Sequence, residues 1–238
     1  MRNYIYSALL ILIAVVLVAI LPRMINFTEI TLLSYQIPQN NASVAGIQKY
    51  NIPPYSKNIP IPLIGAKSVI VKDITSGAIL YQKESSIPLP IASTTKIMTA
   101  IVASEYFKPN SVLTVKTGAS MPGARIGLIS GEDLNFRSLL YGMLLSSGND
   151  AAYAIGENYP GGVLGFVSAM NKKALQLNLQ NTHFDNPAGF DSSDHYSSAK
   201  DLAATAEEAL KNPTLARIFA TKQTSIVSLD KKYTHQLA

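Results

Sequence analysis

Serine and lysine three residues apart form a chemical unit when both stand at the head of a helix. That spacing stacks the two side chains on one face, within hydrogen-bond reach. Lysine serves there as a general base only when neutral, and burial together with the positive end of the helix disfavours its ammonium form. Backbone N–H groups at the same helix tip can hold a developing oxyanion. A serine nucleophile with a lysine base is a recognised route to acyl transfer through a covalent intermediate. The chain offers the spacing at Ser93/Lys96, Ser197/Lys200 and Ser228/Lys231. Context separates them. Pro88-Leu89-Pro90-Ile91-Ala92 leads into Ser93, and an apolar helical pattern follows it. Ser197 stands at a polar helix start and Ser228 in a weakly patterned tail, so those two read as caps or surface.

The elements that must position Ser93 and Lys96 follow from periodicity. Ser68–Ile74 and Ala78–Lys83 are rich in β-branched residues and flank Thr75-Ser76-Gly77, which reads as a hairpin. Thr94–Tyr106 places Ile97, Ala100, Ile101 and Ala103 at helical spacing. Further helices are expected over Asn135–Leu145, Asp150–Asn158 and Val163–Leu177, the last two separated by Pro160-Gly161-Gly162. Ser198-Ala199-Lys200-Asp201 has the form of a capping box and opens a helix to Leu210, ended by Asn212-Pro213. A lone hairpin is marginal in water, and nothing strongly strand-like follows this one.

Ahead of that body, residues 4–21 carry no charge. About 18–20 apolar residues in a helix cover roughly 30 Å of hydrocarbon. Residues 1–23 therefore read as a transmembrane anchor, with a cleaved signal segment as the rival. Leu21-Pro22-Arg23-Met24 is a poor cleavage site, and the short tail favours an inside N-terminus with the body outside. Residues 24–64, with Pro38, Pro53, Pro54, Pro60 and Pro62, read as an extracytoplasmic tether. The absence of cysteine excludes a disulfide scaffold, a thiolate metal site and cysteine catalysis. A net charge of +5, spread along the chain, provides no nucleic-acid face.

Pro90-Ile91-Ala92-Ser93-Thr94-Thr95-Lys96-Ile97-Met98-Thr99 resembles the first active-site motif of the penicillin-binding D-alanyl-D-alanine carboxypeptidases, the low-molecular-mass serine peptidases of bacterial cell walls. Ser147-Gly148-Asn149 matches their second motif, Ser-x-Asn, behind a helix similar to theirs. The blocks Val71–Tyr81, Phe184–Phe190 and His195–Leu202 extend the similarity, in the same order, across residues 65–238. The resemblance implies an α+β fold of the DD-peptidase/β-lactamase type: an antiparallel sheet flanked by helices, beside a helical subdomain, with the cleft between them. It implies that Ser93 attacks the carbonyl between two D-alanines of a peptidoglycan stem peptide and that Lys96 takes its proton. Ser147 would relay that proton to the leaving D-alanine, and Asn149 would bind the substrate amide and help position Lys96. No cofactor or metal is implied, and β-lactams would be trapped at Ser93.

One departure stands out. The family's third motif, Lys-Thr-Gly, comes after Ser-x-Asn, whereas Lys116-Thr117-Gly118 precedes Ser147 and reads as a decoy. The 89 residues after Asn149 stop a little short of that motif's expected place. The resemblance therefore leads to the expectation of a peptidase domain incomplete at its C-terminus, short of sheet partners and incompetent alone.

Other functions compete with this one. A D,D-endopeptidase acting on cross-links shares every motif. A non-catalytic wall-binding relative is opposed by the intact Ser93, Lys96, Ser147 and Asn149. A class A β-lactamase usually has Asp where Gly148 stands, and needs a deacylating glutamate that the surroundings of Glu157 do not match. A Ser-His-Asp hydrolase using His183, His195 or His235 lacks the Gly-x-Ser-x-Gly elbow. Asp191, Asp194 and His195 are explained more simply by a polar loop than by a metal site.

Overall fold

The structure, a computed structural model, describes Pro60 and residues 63–238. The apolar segment 1–23 and nearly all of the tether lie outside the described residues. Strands β1 (Val69–Lys72) and β2 (Ile79–Lys83) pair antiparallel, Val69 opposite Lys83 and Val71 opposite Tyr81, with a register slip before Lys72. The turn closes where the Asp73 carboxylate accepts the Ser76 N–H at 2.8 Å. Gly77, at φ +77°, supplies the left-handed step that an L side chain resists.

Helix α1 (Thr95–Tyr106) follows a 3-10 turn at Ala92–Thr94. Helices α2 (Phe136–Leu145), α3 (Asn149–Glu157), α4 (Gly162–Gln176) and α5 (Ala199–Leu210) all pack against α1. That surround explains its composition. Met98, Thr99, Ala100, Ile101, Val102 and Ala103 are buried in succession, so α1 has no wet face along that stretch. Around it lie Leu139, Leu140, Met143, Ile155, Phe166 and Met170, all fully buried. The expected cap of α5 forms, with the Asp201 N–H donating to Ser198 Oγ at 3.1 Å.

The expectation that nothing strand-like follows the first hairpin is corrected. β3 (Val112–Thr114) pairs with β4 (Asp133–Asn135), and β5 (Thr224–Val227) pairs with β6 (Thr234–Leu237). Among the described residues these make three separate two-stranded ladders in place of one broad antiparallel sheet. The reason is brevity. β5 buries only Ile226, and β6 buries His235 and Leu237 in alternation, too few apolar positions to register as a pattern. Asn212-Pro213 ends α5 as expected but also starts another helix, α6 (Pro213–Phe219). The Asn212 side chain accepts the Thr214 N–H at 2.9 Å.

Two buried acids tie loops to this frame. Asp150, fully buried on α3, accepts backbone N–H groups from Ile126 at 3.1 Å, Gly127 at 3.0 Å, Leu128 at 3.1 Å and Ala151 at 2.9 Å. Glu132 meets His235 Nε2 of β6 at 2.7 Å, while His235 Nδ1 lies 3.1 Å from the Ile126 carbonyl. The Lys116-Thr117-Gly118 triplet is tied to α3 by Glu157, which accepts the Gly118 N–H at 2.8 Å and the Lys116 N–H at 3.2 Å.

Every partner of the Asp150 carboxylate is a donor, so an amide in its place turns an NH2 group against N–H groups. We expect Asp150→Asn to lose about 2–3 kcal/mol of unfolding free energy, as much as Asp150→Ala. Chemical denaturation checks this; a neutral Asp150→Asn substitution would refute the donor-only account.

Candidate active site

Ser93 lies exposed in the 3-10 turn, directly after Ala92, whose φ of +45° is left-handed. An alanine in that region costs roughly 1–2 kcal/mol and persists only when its surroundings enforce it. One turn on, Lys96 is 2% exposed. Its ammonium nitrogen donates to Ser93 Oγ at 3.0 Å, Asn149 Oδ1 at 2.7 Å and the Ala188 carbonyl at 2.8 Å. The Asn149 amide is oriented by its other end, because Nδ2 donates to the Pro122 carbonyl at 2.7 Å.

This arrangement determines which proton Lys96 can give up. Two of its acceptors are carbonyl-type oxygens with no hydrogen to offer, so each must keep receiving an N–H. Ser93 Oγ alone can reverse the bond. The neutral amine therefore turns its lone pair toward the serine hydroxyl. Burial lowers the lysine to about 8, with the Asp150 charge pushing the other way. About a tenth of the molecules then carry the neutral base at pH 7.

The Ala188 carbonyl is set by a turn that wraps the Asn186 side chain. Asn186 Oδ1 accepts the N–H groups of Ala188 at 3.1 Å, Gly189 at 2.7 Å and Phe190 at 2.9 Å. Thr99 on α1 donates to the Pro187 carbonyl at 2.7 Å. Gly189, at φ +92°, presses on the nucleophile turn so closely that a Cβ there would sit 1.9 Å from the Ala92 carbonyl oxygen.

Of the four residues singled out in the sequence, three meet at one point: Ser93, Lys96 and Asn149. Ser147, partly buried and left-handed at φ +54°, makes no hydrogen bond to Lys96 or Ser93 among the described residues. The sequence reading gave no part to Asn186, Ala188, Gly189 and Asp150. The signal for the first three was the Asn-Pro-Ala-Gly run, whose turn chemistry was legible though its target was not. His195 is no surface loop residue; it is 2% exposed and reaches Thr95 at 2.7 Å. His183 and His235 are engaged elsewhere, with Asp194 and with Glu132 respectively.

The family model described as D-alanyl-D-alanine carboxypeptidase matches residues 56–237. The chain is 38% identical over 175 residues to the D-alanyl-D-alanine carboxypeptidase DacF of Bacillus subtilis, across 71% of this chain and 45% of that one. It is 32% identical to a D-alanyl-D-alanine endopeptidase of Pseudomonas aeruginosa, across 76% of this chain and 60% of that one. Among solved structures, a D-alanyl-D-alanine carboxypeptidase from Mycobacterium tuberculosis superposes with a TM-score of 0.70 at 32% identity, covering 75% of this chain and 69% of that one. The matched part thus spans 45% to 60% of the length of these two curated relatives.

Gly189→Ala must force the 188–190 turn off the Ser93 turn. We expect a loss of about 2 kcal/mol or more of stability, with weaker packing at Ala92. Thermal unfolding and the amide spectrum of residues 92–96 read both; an unshifted spectrum would refute the close approach.

Proposed function

The chain belongs to the D-alanyl-D-alanine carboxypeptidase family, and from that premise we propose that it is the catalytic part of a serine peptidase that trims peptidoglycan stem peptides. The observation that carries the proposal is the Lys96 amine bonded at once to Ser93 Oγ, Asn149 Oδ1 and the Ala188 carbonyl. Neutral Lys96 takes the Ser93 hydroxyl proton as Oγ attacks the carbonyl carbon between the two terminal D-alanines. The tetrahedral intermediate collapses, the C–N bond breaks, and the departing amine of D-alanine receives the proton from Lys96 by way of the Ser147 hydroxyl, which bound substrate must first bring within reach. Asn149, whose carbonyl oxygen holds the Lys96 amine, is proposed to bind the substrate amide through the remaining N–H of its Nδ2. Water, deprotonated by Lys96, then attacks the ester carbonyl and returns Ser93 with its proton.

A β-lactam offers the same serine a strained cyclic amide. Its leaving nitrogen stays tethered to the acyl group, which blocks the path of water and makes Ser93 a trap. No cofactor is needed in either case. A D,D-endopeptidase reading uses the same atoms on a cross-link, and the Pseudomonas relative bears that name. Residues 1–23 are proposed as a membrane anchor or signal segment, and 24–64 as a tether that holds the domain of residues 65–238 outside the cell membrane.

The full product of the gene, incubated with a fluorescent penicillin, is expected to carry the label on Ser93, and Ser93→Ala to carry none. Label persisting on Ser93→Ala would overturn the assignment. Release of free D-alanine from a pentapeptide stem, with cross-linked dimers left intact, distinguishes the carboxypeptidase from the endopeptidase.

Lys96 must be neutral to accept the proton, so the neutral fraction and the rate rise together with pH. Acylation should accelerate about tenfold per pH unit from 6.5 toward 8 and level off above it. A rate that is flat or falling over that span would remove Lys96 as the base.

A further inference from the structure

His195 has no part in the chemistry above, yet both of its ring nitrogens are committed. Nδ1 accepts the Asp185 backbone N–H at 3.0 Å, so that nitrogen carries no proton. Nε2 therefore holds the ring hydrogen and donates it to Thr95 Oγ1 at 2.7 Å. Thr95 is the neighbour of Lys96 on α1, and Asp185 begins the turn that ends at the Ala188 carbonyl. The Phe184 ring packs edge-on against the imidazole with centroids 5.8 Å apart. One buried ring thus joins the helix that carries the base to the loop that holds the base's acceptor.

We propose that His195 is a positioning residue, a clamp between α1 and the 185–190 loop that grips only while its Nδ1 is bare, so that acid loosens the Lys96 site. This rests on the reading of Lys96 as the base for its consequence, though not for its geometry. A proton on Nδ1 would face the Asp185 N–H, a donor against a donor, and the loop would have to let go. Four charged or titratable groups act here. Asp185 and Asp191 from the loop favour the protonated ring, His183 opposes it, and Lys96 follows Thr95 on the helix. Burial outweighs them and holds His195 below its ordinary 6.5.

The sign follows from linkage. Above pH 6.5 the ring is neutral whether the clamp is open or closed, and closure is fully stable. Below it the open form binds a proton that the closed form excludes, so opening grows as pH falls. With an ordinary histidine in the open form, opening should increase by up to about tenfold between pH 7.5 and 5.5.

Amide hydrogen exchange at Asp185 and at Ala188 to Phe190, corrected for intrinsic rates, reads that opening without any need for turnover. In the unsubstituted protein, exchange at these amides is expected to rise over that span, by up to about tenfold. His195→Gln keeps one acceptor and one donor but cannot titrate, and should hold protection flat across it. His195→Ala should expose the loop at every pH. Exchange independent of pH in the unsubstituted protein, or an unchanged pH response in His195→Gln, would overturn the clamp. Should His195→Ala fail to fold, the comparison of His195→Gln with the unsubstituted protein decides alone. Penicillin labelling of Ser93 in the unsubstituted protein at pH 8, where the clamp is closed, tests the peptidase reading separately from the clamp.

Discussion

Everything at the site turns on one buried amine with three acceptors. An ammonium group taken from water is costly unless each of its hydrogens finds an oxygen. Lys96 finds them on Ser93, Asn149 and Ala188, from three separate stretches of chain. Two of these oxygens cannot donate, and that asymmetry turns the lone pair of the neutral amine toward Ser93, the direction that the proposed base needs. Without the fixed pair the amine could rotate, and its lone pair would have no preferred target.

The fold serves this constraint. α1 is buried along most of its length because four other helices enclose it, and that burial desolvates the lysine. Asp150 secures the loop whose Pro122 carbonyl orients Asn149. The Asn186 turn secures Ala188, and Gly189 lets that turn approach the serine. Strain collects at the same place, with Ala92 left-handed before the nucleophile and Ser147 left-handed before Asn149.

The hairpin, the long helices and the Ser93/Lys96 pair were legible because each rests on local rules: period 2, period 3.6, a cap, or a three-residue spacing. Ser198 as a cap is such a case. What escaped was non-local or brief. Ala188 acts through a backbone carbonyl, which no side-chain motif reports. His195 looked like part of a polar loop because Asp191 and Asp194 stand beside it, and only the packed Phe184 ring and Thr95 show that it is buried. The last ladder, four residues to a strand, left too little apolar alternation to be seen.

The separation of Lys96 from its partners along the chain has a consequence for biosynthesis. Asn149 lies 53 positions later and Ala188 lies 92 positions later. Contacts so distant close late, after local helices have formed. A nascent chain that has reached its first 150 residues holds the serine and the lysine but lacks the carbonyl that aims the amine. The three-acceptor arrangement around the amine is therefore complete only with the final docking of the second half.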